Sequence, residues 1–310
     1  MNSGDAKNLL VLVALLFALL FTATNFGIAK CDMVPFWCEV YYGIVGPPKV
    51  LIAYGEDGMG SEERLADALN RYVKAQTGIR RAYSVPVTPV TMPVSSIAEE
   101  NLKKYNLVIV THAKTIGIEK LKAFDKYVRG GGRLVWTGDA GTQAPDDLEH
   151  LYADELDKNA RHDKVGGGWT RVDSDGTRFD FGKEILSSEF IGLYCVIEKC
   201  DDATPLVGSL DWSDDPLTAG LAENLAMDRD FALVKQVESS LGGTNIVATV
   251  RSAAAVVKEG KNHGRNFPLI VRTGPGIRVA YYALPPEDFI DEEKGRGAAF
   301  IQNMYYGMLP

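Results

Sequence analysis

Apolar and polar positions follow three different rhythms along this chain. From Leu9 to Ala29 there is no charged residue, and Lys7 and Lys30 stand on either side. About 20 such residues are what an α-helix needs to cross a hydrocarbon core, so the stretch predicts a membrane anchor. A cleaved signal peptide, with Gly27 and Ala29 as the small residues before the cut, is the competing reading. The apolar run exceeds the roughly 7–15 residues usual for a signal peptide, which favours the anchor. Next, "KCDMVPFWCEVYYGIVGPP" reads as a short stem closed by Pro47 and Pro48.

After the stem, strand-length apolar runs alternate with helical stripes. "KVLIAYG" (49–55) is a continuous run of the kind buried on both faces. "SEERLADALNRYVKAQTG" predicts a helix with Ser61 as N-cap, Glu62 and Glu63 in its first turn and Gly78 as its stop. "AYSVPVTPV" is a proline-interrupted edge strand and "SSIAEENLKKY" a short helix. "NLVIVTH", "IGIEKLKAFDKYVRGGG" and "RLVWTGDAGT" then give strand, helix and strand-into-loop. Such alternation implies βαβ units, hence an α/β fold with a doubly wound, mostly parallel sheet.

From about Ala144 the third rhythm takes over. "GGGWTRVDSDGTRFDFG" predicts a hairpin turning at Asp175-Gly176. "NIVATVRSAAAVV", "FPLIVRTGPGIRVAYYALPP" and "KGRGAAFIQNMYYGML" predict further strands and a terminal helix. The expected organisation is an anchor or signal sequence at 1–30, a stem at 31–48 and one α/β domain at 49–310 with a β-rich insertion near 160–215.

Composition narrows the partners. With 33 Lys plus Arg against 41 Asp plus Glu the formal charge is −8, and no block of consecutive basic residues exists, which argues against a nucleic-acid partner. The four cysteines fall in two close pairs, Cys31 with Cys38 and Cys195 with Cys200. Neither pair has zinc-site spacing, and an even count beside an export signal favours two local disulfides in an extracytoplasmic chain.

Candidate chemistry follows from the fold rule that ligands bind beyond the carboxyl ends of parallel strands. The strand assignments place Glu56, Asp57, His112 and Asp139 on that rim. His112 and Asp139 form a possible base–orienter pair, or with Glu56 a cation site; the alternative is that each caps a turn or solvates a loop. "GEDGMGS" (55–61) is glycine-rich but matches no phosphate motif and reads as a flexible turn. "DSDGT" lacks the glycine and glutamate of a calcium loop, so no metal and no cofactor are expected. In "DWSDDP", Trp212 beside three aspartates is a candidate sugar platform, or a half-buried core residue. His150, His162 and His263 lie in polar contexts and are expected at the surface.

The segment "YNLVIVTHAKTIGIEKLKAFDKYVRGGGRLVWTGDAGT", with "DWSDDPLTAGL" and "GIRVAYYALPPEDF" later, resembles the class I glutamine amidotransferase-like superfamily. The likeness is to branches without amidotransferase activity, such as trehalose-utilisation-type proteins and the amidotransferase-like domain of some β-galactosidases. It implies a flavodoxin-like sheet over roughly residues 49–290. The family's nucleophile turn is Gly-x-Cys-x-Gly, whereas "TGDAG" puts Asp139 in the cysteine's place and Thr137 in that of the first glycine. The partner His-x-Glu dyad is also missing, since "NHGRN" around His263 has no Glu two residues on. The resemblance therefore implies a pseudoenzyme: a non-catalytic binding or scaffolding module, for a glycan or an envelope protein. The second expectation is a carbohydrate-acting hydrolase using His112 and Asp139. A subunit of a membrane transport or assembly machine is the third.

Overall fold

The computed structural model describes residues 3–29, 31–70, 87, 89–143, 169–172, 178–180, 186–197, 200–202, 208–218, 231–236, 239–258, 260–274, 276–289 and 298–309. The anchor segment is a helix, α1 (Ser3–Asn25), and the stem contains a 3-10 turn at Cys31–Met33 and α2 (Trp37–Val45). The βαβ region then supplies β1 (Val50–Asp57), α3 (Glu62–Asn70), β2 (Pro89–Pro93), α4 (Glu99–Leu102), β3 (Leu107–Ala113), α5 (Ile118–Arg129) and β4 (Arg133–Thr137). Short elements follow: β5 (Thr170–Val172), β6 (Arg178–Asp180), α6 (Leu186–Ile191), β7 (Leu193–Cys195), β8 (Asp201–Asp202), β9 (Gly208–Trp212), β10 (Phe231–Ala232) and β11 (Val234–Gln236). The chain closes with β12 (Thr244–Lys258), β13 (Lys261–Thr273), β14 (Val279–Tyr282) and α7 (Ala298–Tyr306).

Eight strands form the central sheet in the order β2-β1-β3-β4-β14-β13-β12-β9. The first five are mutually parallel, and β13, β12 and β9 continue antiparallel. The connections explain the two helical layers. From β1 the chain goes outward to β2 and then crosses back to β3, so right-handed crossovers put α3 on one face and α4 and α5 on the other. The packing agrees: α3 meets α7, while α5 meets α4 and α6. With both faces covered, Val50–Ala53, Leu107–Val110 and Leu134–Trp136 are wholly buried, which is why their sequences are continuously apolar rather than alternating. Trp136 sits between Phe124 of α5 and Phe190 of α6, edge to face at 5.4 and 5.3 Å.

Several expectations meet particular outcomes. Ser61 Oγ accepts from Arg64 N at 3.4 Å as an N-cap, while Gly78 lies outside the described residues. β2 is the sheet edge, as its prolines require. β5 and β6 pair antiparallel, their turn at Asp175-Gly176 lying outside the described residues. The small sheets, β11-β7-β5-β6 and β10-β8, draw on strands from Thr170 to Gln236, and β9 joins the main sheet because the long β12 offers it a partner. Both cysteine pairs are disulfides, with S–S distances of 2.01 Å for Cys31–Cys38 and 2.15 Å for Cys195–Cys200. One expectation fails: His263 is not at the surface but 4% exposed on β13. The β12–β13 ladder runs on to Lys258↔Lys261, so "NHGRN" is strand and its two-residue alternation turns His263 inward. His150 and His162 lie outside the described residues.

The apolar helix α1 meets the α/β part of the chain at one end of the sheet. Gly27, just past α1, approaches so closely that a Cβ there would lie 2.6 Å from Arg133 Nη2 and 3.2 Å from Gly276 O. Arg133 opens β4 and Gly276 precedes β14. The amino ends of the parallel strands therefore face α1, and their carboxyl ends point away from it.

Candidate functional site

At the carboxyl ends of β1, β3 and β4 the rim is organised around Met59. Asp139 Oδ1 accepts from Met59 N at 2.8 Å, and His112 N donates to Met59 O at 2.8 Å. The glycine-rich turn expected to be flexible is thus pinned from the end of β3 and from the bend after β4. Gly60 shows why glycine is needed: at φ 99° a Cβ would fall 2.2 Å from Thr111 Oγ1 and 2.8 Å from Glu287 Oε1.

The side chains of His112 and Asp139 take different partners. His112 Nδ1 lies 3.0 Å from Glu62 Oε2 in the first turn of α3, with the two side chains 30% and 22% exposed. Asp139 is 1% exposed, and its Oδ2 stands 3.3 Å from Lys114 Nζ. Asp57 binds the next loop, accepting from Thr115 N at 3.2 Å and Thr115 Oγ1 at 2.9 Å. Glu56 is exposed at the end of β1. His112 also carries a left-handed backbone, φ 50°, which few residues other than glycine adopt.

The bend after β4 is closed on all sides. Residues 137–142 are buried throughout. Gly138 N donates to Tyr282 O at 2.7 Å, and Gly138 O accepts from Tyr281 Oη at 2.8 Å. Ala140 O takes two indole donors, Trp136 Nε1 and Trp169 Nε1, both at 2.8 Å. Two residues of the bend are left-handed, Gly138 at φ 55° and Gly141 at φ 70°, on either side of Asp139. A nucleophile on such a strand-to-turn bend is displayed by the residue at its strained apex. Gly138 has no side chain, and a Cβ on it would lie 2.8 Å from Met59 Cβ and 3.1 Å from Met59 Sδ, while Asp139, at the position expected of a nucleophile, is 1% exposed with its carboxylate turned to Met59 N and Lys114.

Beside the bend, Glu287 is fully buried and accepts from Thr111 Oγ1 and Tyr305 Oη, each at 2.5 Å. Burial pushes its carboxyl above the ordinary value, and the two hydroxyl donors act against that shift. The cluster ties β3, the loop after β14 and α7 together under the rim. Arg64 on α3 adds an ion pair to Asp288 at 3.2 Å.

Trp212 belongs to a different place. It is half-buried on β9 against the core, five strand positions from β3, about 24 Å along the sheet. Of the aspartates around it, Asp215 is 5% exposed, pairs with Arg272 Nη1 at 2.8 Å and accepts from Leu217 N at 3.0 Å. That arrangement holds a turn. Glu56, Asp57, His112 and Asp139 share the rim; Trp212 does not.

Known proteins add a resemblance of chain path. No family model and no curated protein matches the chain. Similar solved structures include a ThuA-like protein from Bacteroides uniformis ATCC 8492, 16% identical, over 85% of this chain and 92% of that one, with a TM-score of 0.48. The β-galactosidase of Rahnella sp. R3 is 15% identical over 88% of this chain and 33% of its own, TM-score 0.47. The N-terminal domain of mmIFT52 is 9% identical over 82% of this chain and 92% of its own, TM-score 0.37. The chain spans about a third of the length of the β-galactosidases it matches.

Glu62, Lys114, Met59 and Glu287 are the rim residues that sequence reasoning missed. Glu62 was legible only as a first-turn acid and Glu287 only within "PPEDF". Nothing local in the chain announces that Met59 faces Gly138 across 79 positions.

Proposed function

We propose that this chain is a membrane-anchored, extracytoplasmic amidotransferase-like domain that binds or scaffolds, for a glycan or an envelope partner, without catalysing a reaction. The observation that supports this reading best is the closed bend: Gly138 presents no side chain, Met59 lies against it, Asp139 is 1% exposed, and Trp169 donates to the Ala140 carbonyl. An active centre needs an accessible pocket with convergent polar groups. The buried Asp139 instead spends its carboxylate on Met59 N and Lys114.

The second reading, a carbohydrate-acting hydrolase using His112 and Asp139, is favoured by one observation. His112 is partly exposed, backbone-strained and hydrogen-bonded to a carboxylate, Glu62, that would orient an imidazole base. The test is an assay of the purified full chain in detergent against glycoside, ester and amide substrates, beside binding measurements on envelope glycans. Binding without turnover supports the module. Turnover that collapses in both His112→Ala and Asp139→Asn sinks it and installs the hydrolase.

A further inference from the structure

The stem does not lead straight from the anchor to the domain; it doubles back along the anchor. Trp37 packs edge to face on Phe17 at 5.2 Å and donates from Nε1 to Thr24 Oγ1 at 2.9 Å. Four residues on, Tyr41 packs on Phe21 at 5.4 Å and donates to Asn25 Oδ1 at 3.3 Å. Advancing along α2 moves the contacts toward the carboxyl end of α1, so the two helices point the same way. Trp37 reaches both Phe17 and Thr24, so the segment before it lies back below the carboxyl end of α1, between those two levels.

Three features of this segment suit it to lipid. First, its surface is apolar: Met33 is 71% and Phe36 79% exposed, and Val34, Val40 and Ile44 are exposed with them. Second, the polar groups on the last turns of α1 are answered within the pair of helices. Thr22 Oγ1 donates to Ala18 O at 2.7 Å, and Thr24 and Asn25 accept from Trp37 and Tyr41. An unanswered polar group costs several kcal/mol in hydrocarbon, so these bonds let α1 stay in apolar surroundings as far as Asn25. The span Asp5–Asn25 then has 21 residues, enough for a bilayer core. Third, Phe36 holds a left-handed backbone, φ 63°, an outlier for an aromatic residue and a strain that the fold retains while projecting the ring outward.

We propose that the disulfide-closed stem is a membrane wedge. Met33, Val34 and Phe36 enter the acyl region of the outer leaflet beside α1, with Tyr41, hydrogen-bonded to Asn25 at the end of the span, nearest the belt where aromatic side chains concentrate. Glu39, exposed on α2, limits the depth, because a carboxylate is costly in hydrocarbon and must reach the headgroups. The partner is the lipid bilayer itself. The proposal rests on α1 spanning that bilayer.

The experiment places one added tryptophan at a time in the full chain: Phe36→Trp, with Met33→Trp as a second reporter of the same segment, Leu12→Trp within α1, and Val257→Trp on β12. Each variant is reconstituted in phosphatidylcholine vesicles with brominated acyl chains, and its emission is read as the difference from the unsubstituted protein. The wedge predicts that the reporters at 36, 33 and 12 are quenched to a similar degree and that the one at 257 is not. Quenching at 12 without quenching at 33 and 36 overturns the wedge and leaves the anchor standing. No quenching at 12 overturns both. A blue-shifted, unquenched signal at 36 that disappears on dilution with excess lipid means a second copy covers the segment, and the proposal falls.

Discussion

Two residues, Gly138 and Glu287, decide most of what the rim can do. The substitution Gly138→Ala meets a left-handed backbone and a Cβ contact of 2.8 Å to Met59 together. It is expected to destabilise the domain by about 2–3 kcal/mol, the scale of a strained backbone position plus overpacking, seen as a lower urea midpoint. A neutral result would mean that Met59 yields easily and that the bend can open. Glu287 gives a pH signature. Burial raises its folded value above 4.5, so the contribution of its protonated form is complete below about 4.5 and is lost as pH rises through the folded value. The midpoint of the parent chain should therefore carry a downward component with rising pH over that window. Glu287→Gln keeps the shape without the charge and should remove that component; equal slopes in the two proteins would refute the assignment.

At the scale of elements, the rim and the stem are built by different forces. The rim depends on chain segments far apart in sequence: β3, the loop after β14 and α7 are joined at Glu287. The stem depends on near neighbours, since Cys31 and Cys38 close a loop of sequence separation 7 and Trp37 and Tyr41 reach back to α1. Closing so short a loop contributes about 2–3 kcal/mol in the chain-entropy picture. Replacing both cysteines by serine is thus expected to expose the segment around Met33–Phe36 to protease in detergent while the unfolding midpoint of the α/β domain stays unchanged. A matching loss of domain stability would show that stem and domain unfold as one unit. The elements themselves were largely legible in sequence. Buried strands such as Leu107–Val110 read as continuous apolar runs, and α5 ended at its glycines. His263 misled because a polar string looks like a loop until a partner strand is found for it.

For the whole molecule, the decisive feature is polarity along the sheet. The end of α1 abuts the amino ends of β4 and β14 at Arg133 and Gly276, so the rim with His112 and Asp139 points away from α1. If the domain is extracytoplasmic, an epitope inserted at Gly260, in the turn between β12 and β13, should be recognised on intact cells, and one at the N-terminus only after permeabilisation. The reverse pattern would invert the topology and remove the compartment that favours the two disulfides.

The amino-acid sequence by itself determined the apolar helix, the βαβ rhythm, the local cysteine pairs and the absence of the amidotransferase nucleophile. Each is written in neighbouring residues or in a repeating period, and local physics acts on neighbours. Tertiary structure alone decided that His112 pairs with Glu62, that Asp139 is buried against Met59 and Lys114, that Trp212 stands apart, and that the stem folds back on α1. These depend on which distant segments the crossovers bring together, because a side chain's partner is set by packing across the sheet and no local pattern encodes it.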